Sequence, residues 1–205
     1  MAQRISEANT VFSEIMATPD KGIPTDLLNR AACVVIVPSL KHGGFIVGAK
    51  YGKGFISCRS KDGNGWSAPG AIRIEGGSFG LQIGAAAVDV IMLVMNDAGM
   101  NAVLSSQYTL GGQASVAAGP VGRDAAANTS GWASAAILSY SRSRGVFAGI
   151  SLQGSTLRQD LDDNNALYGQ KLENKEIVTS GTVQVPAAAQ SLVASLNQYS
   201  PKRTT

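Results

Sequence analysis

The chain is poor in the side chains that do chemistry. Among 205 residues there is one histidine, His42, and there are two cysteines, Cys33 and Cys58. Nucleophilic catalysis needs a base held beside the nucleophile, and a Cys33–His42 contact across strands is the one thiol pairing on offer. Those three residues lack the spacing of a compact zinc knuckle and have no fourth ligand. No enzyme activity, metal or cofactor is expected. Long apolar runs are missing too: Ala85–Met95 is short and holds Asp89, whereas a membrane-spanning helix needs about twenty apolar residues. No transmembrane segment is expected, and Met1 does not open a basic-then-apolar leader.

Two cysteines cannot build a disulfide framework. They fit either one bond between neighbouring strands, which would suit an oxidising compartment, or two buried thiols acting as small apolar residues. The residues leave both readings open.

The length suits a single domain, residues 1–205, with a core that needs no staple. Charge is sparse, 15% of residues, and unevenly placed. Residues 31–80 hold six basic and two acidic side chains, which is more than the whole net charge of +3. A cluster of one sign points to an anionic partner.

Helical spacing of Ile5, Ala8, Phe12, Ile15 and Met16 predicts an amphipathic helix over residues 3–17. Its charges are Arg4, Glu7 and Glu14, so a core-packing role is expected rather than a Lys/Arg-rich membrane face. A short helix follows over Thr25–Ala32. Strands are then predicted at Cys33–Val37, Gly44–Lys50 and Gly54–Arg59, with Tyr51-Gly52-Lys53 as a hairpin turn. Asp62-Gly63-Asn64-Gly65 is a strong turn signal. Ala71–Glu75 reads as a strand broken by Gly76-Gly77, and Phe79–Met95 as one or two strands bent near Gly84. Asn96 or Asp97 is placed to cap a helix reaching about Ser105. Further strands are expected at Tyr108–Ala117, Ala133–Ser141, Val146–Leu152 and Ser155–Arg158. Helices return at about 160–199: Leu161–Tyr168 stopped by Gly169, Leu172–Val178, and a last one begun by Pro186. The expected class is α+β, a large curved antiparallel or barrel-like sheet between N-terminal and C-terminal helices.

Motifs for small ligands fail on inspection. A phosphate loop needs Gly, four residues, then Gly-Lys-Ser/Thr, but around Gly52-Lys53 the first glycine is Val47 and the hydroxyl is Gly54. Asp160, Asp162, Asp163 and Asn164 open like a calcium loop, yet Asn165 stands where glycine is required and Lys171 where the bidentate glutamate belongs. Carboxylates favour a helix N-terminus, and that is their expected role. Asn128-Thr129-Ser130 matches the glycosylation triplet, a pattern common by chance. No nucleic-acid motif is present.

What remains is a basic set on and between the predicted strands: Lys41, His42, Lys50, Lys53, Arg59, Lys61 and Arg73. Phe45, Tyr51, Phe55 and Trp66 are interleaved with it. Basic residues at an anionic membrane contribute about 1 kcal/mol each, and aromatics suit shallow insertion. Lysines at strand ends also keep sheet edges soluble.

Five segments in order resemble the SYLF domain family: Ile23–Arg59, Gly65–Asn96, Ala117–Asp124 (AAGPVGRD), Tyr140–Asp160 (YSRSRGVFAGISLQGSTLRQD) and Asn164–Gly169 (NNALYG). The likeness covers about residues 23–169. The resemblance implies peripheral binding to an anionic phospholipid of the phosphoinositide kind, through the basic and aromatic residues above. It also implies, alternatively, binding to actin or another acidic protein, as in yeast members. No catalysis is implied. Because no Src-homology-3 or FYVE segment accompanies it, the chain resembles the bacterial single-domain form. The expected location is a peripheral membrane one, in a bacterial cell envelope if an upstream signal was removed and cytoplasmic otherwise.

Overall fold

The computed structural model describes residues 1–18, 20–122 and 132–204, and of residues 44–47 and 78–85 the backbone alone. The Asn128 triplet and the end of the AAGPVGRD segment lie outside the described residues.

Helix α1 (Ala2–Met16) buries Ile5, Ala8, Val11, Phe12, Ile15 and Met16, the face its spacing predicts. Helix α2 spans Thr25–Arg30. Then come two very long strands, β1 (Cys33–Cys58) and β2 (Gly70–Val94), paired antiparallel along almost their whole length. Here the structure corrects the sequence reading. The three predicted strands of the first run are one strand, Tyr51-Gly52-Lys53 is no turn, and Gly76-Gly77 breaks nothing. Tight hairpin turns need positive φ, and none of Gly52, Gly54, Gly76 or Gly77 has it.

Those glycines serve close approach instead. A straight strand of this length would run about 85 Å, yet the Cα atoms of Cys33 and Cys58 are 3.9 Å apart and the two residues are joined by a disulfide. The β1–β2 ribbon therefore doubles back on itself. Where its halves cross, a Cβ on Gly54 would lie 2.0 Å from the Ile36 carbonyl oxygen, and one on Gly52 2.7 Å from the Leu40 side chain. Two register shifts help the ribbon bend. At the first, Pro38 and Ser39 stand opposite Asp89 alone. Proline cannot donate to a ladder, and Ser39, at φ 53, instead gives its N–H to the Asp89 carboxylate at 3.0 Å. At the second, Gly44 pairs with Gly84 and Ile46 with Gly80, near the bend expected at Gly84.

Helix α3 (Asp97–Val103) is capped by Asn96, whose side chain accepts from the Gly99 N–H. The remaining strands are short: β3 (Gln107–Thr109), β4 (Val116–Ala118), β5 (Ile137–Ser143), β6 (Val146–Gly149) and β7 (Thr156–Gln159). They line the sheet in the order β3-β7-β2-β5-β4, with β1 on the other side of β2 and β6 beside β5. The single strand expected over Tyr108–Ala117 is in fact β3 and β4, split by a turn through Gly111 at φ 85. Tyr108 braces that turn by donating its hydroxyl to the Ala114 carbonyl at 2.6 Å. Because β4 runs parallel to β5, the sheet is mixed rather than wholly antiparallel. The α+β class and the curled sheet between helical ends are as expected.

Helices α4 (Leu161–Tyr168), α5 (Asn174–Thr179) and α6 (Gln190–Tyr199) complete the chain. Gly169 ends α4 in the left-handed conformation, at φ 71. One face of the sheet packs on α1, α2 and α6 through Phe12, Leu28, Ile36, Phe55, Leu93 and Leu196. The other curls around Val35, Ile56, Ile72, Met92, Ile137 and Leu157.

The crossing generates three expected outcomes. Gly54→Ala should cost about 3 kcal/mol or more in urea unfolding, because backbone blocks the new methyl group. Gly77→Ala, whose Cβ meets nothing closer than 3.9 Å, should stay within about 1 kcal/mol. Thiol labelling in denaturant without reductant should find neither Cys33 nor Cys58 free.

Candidate functional site

The fold sorts the predicted basic set into cations already in use and cations left at the surface. Arg59 is in use. It is 8% exposed, and its guanidinium lies 3.8 Å from the centre of the Trp66 ring. It donates to the carbonyls of Ser200 at 2.6 Å and Leu28 at 3.3 Å, and to the Ser200 hydroxyl. Trp66 donates its indole N–H to the same Ser200 carbonyl at 2.8 Å. Burial, with the nearby Arg203 charge, lowers the guanidinium to about 10, so it remains charged at neutral pH. Arg59 and Trp66 thus clamp the chain after α6 and leave the surface role expected of them. Phe55 is 2% exposed in the core and leaves it as well.

Lys53 is also spoken for. Its ammonium lies 2.7 Å from Asp160 and 3.1 Å from Asp163, and Arg4 of α1 reaches Asp163 at 2.7 Å. The acidic cluster therefore works as a helix start with Asp160 as its cap, accepting from the Asp163 N–H. It also ties α4 to β1 and α1. Burial alone would raise the Asp160 carboxyl, but the Lys53 hydrogen bond and the Asp163 N–H outweigh it and hold it below 3.8. Burial would likewise lower Lys53, and its two carboxylate partners hold it above 10.5 instead. Arg73 pairs with Glu75 at 2.8 Å, and Arg158 approaches the same carboxylate at 3.5 Å.

Asn164, the fourth member of the calcium-like run, is fully buried. It accepts from the Ala71 N–H at 2.7 Å and donates to Asn174, which donates back to the Ala71 carbonyl at 2.9 Å. Two side-chain amides thus pin the start of β2. Sequence reasoning missed this lock, since nothing in Asn164-Asn165 separates a buried amide from an exposed one.

Lys41, His42, Lys50 and Tyr51 remain. Lys41 is as far along from Cys33 as Lys50 is back from Cys58, so the doubling of the ribbon brings both toward its free end. Lys41 is exposed, His42 and Lys50 are half-buried, and Tyr51 is 46% exposed. A cleft of about 400 Å³ is lined by Lys41, His42, Tyr51, Gly43, Ala49 and the Ala86–Ala87 pair. Among the described residues, no ion pair involves Lys41 or Lys50. Lys61 is exposed too, but on the turn beyond Cys58 at the closed end. Phe45 lies where side chains are outside the described residues.

The pairing of Lys53 fixes a pH dependence. A carboxyl held low stabilises the fold above 3.8 and loses that contribution as pH falls through its folded value, whereas a raised lysine contributes below 10.5 and loses it as pH rises. Lys53→Met should cost about 2 kcal/mol at neutral pH by leaving the buried Asp160 carboxylate without its lysine. On acidification from neutrality to about pH 2, the variant's urea midpoint should fall less than the wild type's does.

Comparison with protein families and with known proteins places the sequence. Residues 75–199, more than half of the chain, match the Ysc84 family, described as "Las17-binding protein actin regulator". The chain is 37% identical over 207 residues to the rat SH3 domain-containing YSC84-like protein 1, covering 100% of this chain and 60% of that protein. It is 38% identical over 177 residues to Protein YSC84 of Saccharomyces cerevisiae, covering 85% of this chain and 37% of that one. To LAS seventeen-binding protein 3 of the same yeast it is 40% identical over 176 residues, covering 84% and 38%. The chain therefore spans about 60% or less of the length of these relatives. With the matched segment running from within β2 through α6, this chain belongs to the Ysc84, or SYLF, family.

Proposed function

We propose that the chain is a non-catalytic interaction module of the actin-regulating machinery, with the free end of the β1–β2 ribbon as its docking surface. The observation that carries this reading is the family match, whose description and relatives' names speak of Las17 binding and actin regulation. The ribbon end supports it physically. Lys41 and Lys50 are cations with no partner among the described ion pairs, and Tyr51, which shares a cleft with Lys41 and His42, offers a large, stiff contact. An acidic protein surface is the complement, and such charges act mainly on encounter rate and specificity.

A second reading uses the same residues. The cleft is walled by Ala49, Ala86, Ala87 and the Tyr51 ring, so an anionic lipid headgroup with shallow aromatic insertion also fits its chemistry. No helix among the described residues is long and apolar enough to cross a membrane, so such contact would be peripheral.

Co-sedimentation separates the two. The protein should pellet with filamentous actin, or with actin carrying its regulatory partner, and Lys41→Glu/Lys50→Glu should weaken this by about tenfold. Added salt should weaken it further. Lys53 and Arg59 are poor choices for charge reversal because their loss perturbs the fold. Pelleting with phosphatidylserine liposomes but not with actin would replace the first reading by the second. Pelleting with neither would end both.

A further inference from the structure

One stretch of β2 stands apart from the rest of the sheet. On the edge away from β1, β2 pairs with β7 from Ile72 to Glu75 and with β5 from Asp89 to Val94. Ser155 closes over Gly76. From Gly77 to Val88 the outward edge has no partner strand among the described residues. Folded proteins guard such edges with lysine, proline or inward charge. This one has none, for the sequence GSFGLQIGAAAV holds no charged residue and no proline.

The cations stand on the neighbouring strand, opposite residues with little or no side chain. Lys41 pairs across the ladder with Ala87 and His42 with Ala86, while Lys50 stands one step beyond the open stretch, opposite Gly76. Adjacent strands lie about 4.8 Å apart, so a third strand added to β2 would lie about 10 Å from β1. A lysine crossing an alanine meets a glutamate reaching back from that third strand within this span. The carboxylates at either end of the open edge are already occupied, Glu75 by Arg73 and Arg158, and Asp89 by Arg142 at 2.9 Å. No acidic residue lies between Ala31 and Lys61. Among the described residues, no ion pair neutralises the lysines beside this edge.

We propose that the open edge of β2, Gly77–Val88, takes up an extended acidic peptide segment of a partner as an added strand. Backbone pairing would supply the affinity, and Lys41, with the charge of Lys50 at the end of the stretch, the selection for acidic side chains. This rests on the reading of the ribbon end as a protein-docking surface, and specifies both the partner's conformation and its charge.

The test uses the full chain and a blocked synthetic peptide of about ten residues, the length of a long strand, alternating Glu and Val. Its controls are the same peptide with alternate backbone nitrogens methylated and a Lys–Val counterpart. Amide hydrogen exchange should slow between Gly77 and Val88 with the Glu–Val peptide alone. Lys41→Glu/Lys50→Glu should weaken its binding by about tenfold, with circular dichroism unchanged. Equal binding of the methylated peptide, equal binding of the Lys–Val peptide, or slowing confined to other residues would overturn the proposal. If actin co-sedimentation persists while the peptide gives no protection, the strand-addition proposal alone fails. If the edge is protected while actin and its regulators do not bind, the failure lies with the cytoskeletal reading.

Discussion

At Gly54 a hydrogen occupies the place where any other residue would put a carbon 2.0 Å from the Ile36 carbonyl oxygen. The crossing of the two halves of β1 depends on that vacancy and on the similar one at Gly52. If the halves could not approach so closely, the ribbon would not double back and Cys33 would not reach Cys58. The two faces of the sheet would then not close over separate cores. Close packing makes such a contact all-or-none, since an added methylene in a filled space has nowhere to go.

The doubled ribbon also decides which charges work inside the protein. Near its closed end the chain is dense with buried polar contacts, and Arg59, Lys53 and the Asn164–Asn174 pair are spent on holding α4, α5 and the segment after α6 against β1 and β2. Each of these groups needs its partners, because a buried polar or charged group left alone costs several times what a surface one does. Toward the free end the ribbon leaves the body of the sheet, where Lys41 and Tyr51 are exposed and Lys50 is half-buried. The same residue types thus have opposite jobs at the two ends of one strand. The long strands, the open edge of β2 and the uncompensated cations are in this sense one feature.

Much of the fold was legible in the sequence where local chemistry decides it. The buried stripe of α1, the Asn96 cap and the left-handed stop at Gly169 each rest on residues within a few positions of one another. The glycines of the ribbon misled for a physical reason. Glycine permits a turn and also permits close approach, and only the partner strand tells which is used. For Gly63 and Gly65 the turn reading holds, with φ 73 at both. For Gly52 and Gly54 the neighbour lies many residues away along the chain and no local pattern announces it. The strand predicted over Tyr108–Ala117 failed similarly, since its two halves find different partners at opposite ends of the sheet.

By itself the sequence determined the α+β class, the family, the scarcity of catalytic groups and the concentration of positive charge between residues 31 and 80. These are properties of composition, order and local periodicity, which survive without knowledge of what touches what. Tertiary structure alone decided that Arg59, Trp66 and Phe55 are internal and that Lys53 and Arg73 are paired. It alone left Lys41, His42, Lys50 and Tyr51 at an exposed end. Burial and pairing depend on contacts between distant segments, here set by a ribbon folded back on itself, and a list of basic residues does not contain that information.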